Sequence, residues 1–186
     1  MTISTALPST LSALRTDITR RTGAAGLAAA LAAVADHWLD RVEFRETSRW
    51  TRLFPAADAA AVLDRGLHDD LAEAQVWLLS WLPLQGTPLH DHGHSAGAFA
   101  VVRGALTERV AAAGHAENRV RESSAELSGG RVRYFGPHYV HQVTNTGTEP
   151  AVSVHVYAPA LTRMNTYAVD AGALVLTGTE RAGVDW

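Results

Sequence analysis

Two histidines separated by one residue, His90 and His92, are the strongest chemical signal in this chain. On a strand alternate side chains share a face, so both imidazoles can enter one cavity while Asp91 points away. A third histidine from another strand would complete a facial set of nitrogen donors and leave positions open for further ligands. His138 and His141 lie downstream as candidates, and His94 shares the parity of the pair. Gly93 between them invites a bend, which gives His94 a supporting or structural role. His37, His68 and His115 have no partners in sequence and read as surface or structural residues. A second constellation is Ser153-Val154-His155-Val156-Tyr157, whose alternation sends Ser153, His155 and Tyr157 to one strand face. Such a row can hold a phenol in a fixed protonation state. The plain alternative is the wet side of an antiparallel strand. A nucleophilic Ser-His pair is disfavoured, because a nucleophile elbow and a carboxylate to orient the histidine are both missing.

Composition narrows the chemistry. There is no cysteine, which excludes disulfides, thiolate metal sites and a cysteine nucleophile. There is no lysine either, so all 16 basic residues are arginine and Schiff-base catalysis is excluded. A net charge of −3 gives no pull toward nucleic acid or an anionic membrane. The first twenty residues lack a signal-like apolar run, and no stretch is long enough for a spanning helix, so a cytoplasmic location is expected. A chain of 186 residues with 47% hydrophobic residues fits one domain with a sizeable core, expected to be a monomer.

The elements that must position these residues fall into two parts. Ser9 to Phe44 is rich in Ala and Leu, with Leu27, Leu31, Val34 and Leu39 near helical spacing and Gly23 and Gly26 expected to split it into two helices. A further helix is expected from Pro55 to Leu67, ending near Gly66. From Ala74 onward short β-type runs alternate with glycine-marked turns: Gln75–Leu82, Ala98–Val102, Leu106–Val110, Arg131–Phe135, Val140–Thr144, Val152–Tyr157 and Ala173–Leu176. Many short strands of this kind predict a sandwich or barrel. The expected architecture is a single domain over 1–186: a helical layer over 1–70, then a β-barrel over 74–180.

The segment Gly86 to Gly104 resembles the first cupin motif: a glycine, H-x-H, four residues, a special position, six residues and a glycine. The special position, a glutamate ligand in most cupins, is Gly97 here. Gly130 to Asn145 resembles the second motif, with three residues between His141 and Asn145, and this selects His141 over His138 as the third ligand. The implied fold is mainly β, a cupin-type β-barrel or jelly roll. Three neutral imidazoles leave a bound Fe(II) with its full 2+ charge, which favours an anionic ligand such as thiolate. Zinc with three histidines remains a competing reading.

More specifically, the chain resembles the bacterial thiol dioxygenases of the cysteine dioxygenase family. The matching residues are His90-Asp91-His92, His141 with Val143 and Asn145, Thr148 through Tyr157, and Trp50-Thr51-Arg52. The resemblance implies Fe(II) on His90, His92 and His141, a small thiol (cysteine foremost) and O2 as reactants, and a sulfinic acid product. It also implies that Tyr157 hydrogen-bonds the reacting species while His155 and Ser153 orient it. Arg52 falls where cysteine-specific members hold the substrate carboxylate, a position that is Gln in members acting on mercaptopropionate. Trp50 stands where a tyrosine often lines the pocket, and Arg163 is a candidate second carboxylate contact. Gly97 stands where animal enzymes carry a cysteine cross-linked to the tyrosine, so that cross-link is impossible here. The alternatives kept open are a 3-mercaptopropionate or other thiol-acid dioxygenase, and a non-catalytic cupin sensing a ligand through Zn or Ni.

Overall fold

The computed structural model describes residues 23–113 and 119–182. Residues 1–22, and with them the start of the expected N-terminal helix, lie outside the described residues, as do Gly114 and His115. Helix α1 runs over residues 23–33. Ala24, Leu27, Ala28 and Leu31 recur at helical spacing and are buried. Gly26 does not break the helix; it lies inside α1 with nothing within 4 Å of where a Cβ would stand. A glycine costs a helix interior only about 1 kcal/mol, and the buried leucine stripe outweighs that. Short 3-10 turns follow at Ala35–His37 and Leu39–Arg41. Between them Trp38 is fully buried and donates its indole N–H to Leu31 O at 2.9 Å.

The helix expected from Pro55 to Leu67 is shorter. Helix α2 covers Ala56–Val62, and Leu63 then turns extended, at φ −101° and ψ 152°. A 3-10 turn at Arg65–Leu67 leads into α3, His68–Ala72, so the chain stays helical past Gly66 instead of ending there.

Among the described residues eleven strands make two antiparallel sheets. One holds β1 (Trp50–Phe54), β2 (Gln75–Trp81), β4 (Ala96–Arg103), β7 (Val132–Phe135) and β9 (Ala151–Ala158), in the order β1-β2-β9-β4-β7. The other holds β3 (Leu89–His90), β5 (Ala105–Ala113), β6 (Val120–Ser128), β8 (His141–Thr144), β10 (Arg163–Asp170) and β11 (Ala173–Arg181), in the order β11-β10-β3-β8-β5-β6. Each of the seven strands expected from sequence has its counterpart among them. The architecture is the mainly β, cupin-type barrel that the sequence implies.

Strand β9 is buried on both faces. Val152, Val154 and Val156 join Val76, Leu78, Ala98 and Ala100 beneath the helical layer, in the cluster that contains Leu27, Leu31 and Trp38. The alternate residues turn between the sheets, where Leu79, Trp81, Phe99, Phe135 and Val143 surround Tyr157. The helical layer thus covers the outside of one sheet and frees its inner face for polar work. Asn145, fully buried, fastens the turn between β8 and β9 by donating to Trp81 O at 3.0 Å and Glu149 O at 2.8 Å and accepting from Gly147 N–H at 3.0 Å. Among the described residues no helix is long and apolar enough to cross a membrane.

Candidate metal centre

His90 ends β3 and pairs directly with His141 at the start of β8, so their side chains share one face of the sheet. That single register contact joins two segments about fifty residues apart. Strand β3 is only two residues long, so His92 stands just beyond it. Even so, its ring returns to the same point: centroids lie 4.8 Å from His90 and 5.1 Å from His141, and His90 and His141 are 4.9 Å apart. One nitrogen from each falls within 4.8 Å of the others, and all three residues are buried. Asp91 points away, as parity predicts. Its carboxylate accepts from Gly93 N–H at 2.9 Å, Asn165 Nδ2 at 3.1 Å and Tyr167 O–H at 2.6 Å, tying the histidine turn to β10. Burial alone would raise the Asp91 pKa, but these hydrogen bonds outweigh it and hold the carboxyl below its ordinary range.

The donor set fits a metal ion. His90 Nδ1 is 2.9 Å from Pro88 O and His141 Nδ1 is 2.8 Å from Glu108 Oε1, so each donates that proton and keeps its Nε2 lone pair free. His92 Nδ1 is buried with no hydrogen-bond partner. Burial, reinforced by the neighbouring His141, pushes the His90 pKa down to about 3. Burial likewise takes His92 far below its ordinary value. Neutral imidazoles are what a cation requires.

At Gly97, where the first cupin motif has its special position, there is no room for a side chain. A Cβ on Gly97 would collide with Val156 O and would lie 2.8 Å from the Phe135 ring. That ring is stacked on His92 at 4.4 Å, so an aromatic side chain fills the space beside this histidine. Gly97 also pairs across the sheet with Tyr157.

A cavity opens from the histidines, lined by His90, His141, His155, Tyr157, Arg49, Glu180 and apolar neighbours. Ser153 and His155 are joined, Oγ to Nε2, at 2.9 Å. The Trp81 indole N–H donates to Ser153 Oγ at 2.9 Å, which leaves the hydroxyl proton of Ser153 for His155 Nε2. Burial keeps the His155 imidazole neutral as well. Tyr157 shares this face, but its ring stands 6.4 Å from that of His155, centroid to centroid, and no hydrogen bond joins the two. Burial raises the Tyr157 pKa above its ordinary value, opposed by Arg49, so the phenol stays protonated.

The three substrate-binding expectations do not come together in this cavity. Arg52 is exposed on the outward face of β1, beside Arg41 and Asp58. Trp50 is buried under the helical layer with Trp38 and Phe54. Arg163 is exposed at the start of β10 and packs over Gly93, while its neighbour Met164 lines the cavity. Strand alternation explains all three, because a shift of one residue reverses the face. On β1 the residue beside the cavity is Thr51, and the arginine is Arg49, just before the strand. Arg49 donates to Gly86 O at 3.1 Å and lies over the Trp81 ring at 5.1 Å. Burial lowers its pKa, and the fields of Tyr157 and Glu180 act the other way. His94 and His138 are exposed and 6.4 Å apart, ring to ring, so neither joins the three.

The family model for cysteine dioxygenase type I matches residues 40–170. A search of curated proteins gives no match. Among solved structures, the chain is similar to one from Thermus thermophilus, with 22% identity, a TM-score of 0.45, and coverage of 66% of this chain and 94% of the other. It is similar to a double-stranded β-helix protein from Klebsiella pneumoniae, with 19% identity, a TM-score of 0.44, and coverage of 75% and 92%. For oxalate decarboxylase from Bacillus subtilis the values are 15% identity, a TM-score of 0.49, and 69% and 30%. The chain therefore spans less than a third of that last protein.

Proposed function

From the premise that this chain belongs to the cysteine dioxygenase type I family, we propose that it is an Fe(II)-dependent thiol dioxygenase that converts L-cysteine to cysteine sulfinate. The observation that carries this reading is the buried three-histidine group opening onto a cavity that also holds Arg49 and Tyr157. The reaction balances without a reductant: the thiol loses its proton, both atoms of O2 bond to sulfur, and sulfinate results.

His90, His92 and His141 would hold the iron. Bound there, Fe(II) supplies positive charge that deprotonates a coordinating thiol, together with redox chemistry toward O2. The chain's own groups do the rest. Arg49 binds the substrate carboxylate, in place of the Arg52 expected from sequence. Tyr157 donates a hydrogen bond to the reacting species. Ser153 and His155 hold each other in one tautomer behind it. The apolar wall of Leu79, Val143 and Met164 excludes water.

Cysteine is favoured over 3-mercaptopropionate by charge. The lining carries one cation and one acid, Arg49 and Glu180, which complements a zwitterion better than a simple thiol acid. Purified protein loaded anaerobically with Fe(II) should consume O2 with cysteine and release sulfinate, detected by oxygen electrode and mass spectrometry. His141→Ala should lose most of its iron and His138→Ala should keep it. Oxygen uptake with 3-mercaptopropionate alone would move the reading to that substrate. Tight metal binding with no uptake on any thiol would favour a sensor.

A further inference from the structure

The three histidines differ in what stands behind them. His90 leans on a neutral carbonyl, Pro88 O, and His92 Nδ1 has no partner. Only His141 faces a carboxylate, that of Glu108, at 2.8 Å. Glu108 lies on β5 with its side chain 1% exposed, so an acid has been buried between two sheets. It is not left alone. Arg133 Nε on β7, in the opposite sheet, lies 2.6 Å from Oε2. Tyr139 O–H donates to Oε1 at 3.3 Å. An ion pair this deep is weak support for stability, since desolvation cancels much of the attraction. Its worth must be sought in what the carboxylate touches.

Resting on the reading of the three histidines as a metal centre, we propose that Glu108 is a positioning residue that makes His141 the strongest of the three metal donors. Accepting the Nδ1 proton fixes the ring and its tautomer, so Nε2 is always presented to the metal. A negative acceptor also pushes electron density into the imidazole, which a neutral carbonyl does less and a missing partner does not do. The gain grows with the charge on the metal, so Glu108 favours the ferric over the ferrous state. Arg133, partly exposed, sets how much of the carboxylate's charge reaches His141.

Glu108→Gln tests this, because an amide oxygen can still accept the Nδ1 proton while the charge is gone. Anaerobic titration of the full-length protein with Fe(II) and with Co(II) should show 10–100-fold weaker binding, the usual cost of losing an outer partner. The Fe(III)/Fe(II) potential should rise, by about 59 mV for each ten-fold by which the ferric form loses more than the ferrous. Tyr139→Phe, which removes a neutral donor, should leave the potential where it was. In the Co(II)-loaded wild type the His141 Nδ1 proton should give a paramagnetically shifted NMR signal slow to exchange in D2O, a readout that needs no variant. Equal metal affinity and potential in Glu108→Gln, or a fast-exchanging His141 proton, would overturn the proposal and leave the metal centre standing. Failure of the wild type to bind either metal would overturn the centre and the proposal together.

Discussion

At the scale of single residues, the cavity separates two arginines that sequence alone does not distinguish. Arg49 faces the histidines and Arg52 faces away from them. If Arg49 holds the substrate carboxylate as proposed, Arg49→Gln removes an interaction worth about 1.5–3 kcal/mol, so KM for cysteine should rise about 10–150-fold. Arg52→Gln, at the surface, should change neither KM nor stability beyond about 0.5 kcal/mol. Steady-state kinetics on both variants decide it, and the reverse ranking would restore Arg52. Tyr157 offers a second test. Burial keeps its hydroxyl protonated and the side chain lines the cavity, so Tyr157→Phe deletes one donor and keeps the ring. Turnover should fall about 10–100-fold, equivalent to about 1.4–2.8 kcal/mol in the transition state, with iron content and melting temperature unchanged. Undiminished turnover would reduce Tyr157 to part of the wall.

At the scale of elements, β4 carries the feature that distinguishes this barrel from cupins with a fourth ligand. Gly97→Ala should cost about 1–3 kcal/mol by overpacking, because the added methyl meets a backbone carbonyl and the Phe135 ring that rests on His92. Thermal denaturation should show a fall of several degrees, and an unchanged midpoint would mean that β4 and Phe135 adjust freely. The same strands show what the sequence could tell. His90, His92 and His141 were legible because H-x-H and its distant partner are spacing signals, and Ser153, His155 and Tyr157 because β9 alternates cleanly. Strand β6, reading Val120 to Ser128, was not legible: it is a polar edge strand without the alternation that burial imposes. Strand β1 was missed as a strand, and with it the parity that turns Arg52 outward. Glu108 carried no signal, since an acid between Thr107 and Arg109 looks like an exposed position of a half-wet strand. Only the register of β5 with β8, Glu108 opposite Val143, brings it beside His141.

At the scale of the whole molecule, the site makes the metal-free fold sensitive to acid. His90, His92 and His155 are buried and neutral, with pKa values driven far below the ordinary 6.5, to about 3 for His90. In the unfolded chain each would take up a proton near pH 6.5. The unfolded state therefore binds more protons than the native one below that pH, and the sign of the linkage makes stability fall as pH falls. The contribution is complete above about pH 6.5 and is lost on acidification toward the folded values. Each histidine costs up to about 1.4 kcal/mol per pH unit in that window, so the three together cost about 4 kcal/mol per unit. A domain with a total stability of about 5–15 kcal/mol cannot absorb many such units. Asp91, whose pKa is depressed instead, loses its contribution only below the ordinary carboxylate range, and so later in the titration. Urea unfolding in the presence of a chelator should accordingly give a stability flat from pH 8 to 7 and falling steeply below pH 6. His155→Gln removes one of the three groups and leaves His90, His92 and His141 in place, and should flatten that slope by about a third. A slope identical in His155→Gln and wild type, or a stability independent of pH down to pH 5, would show that these imidazoles reach water in the folded protein.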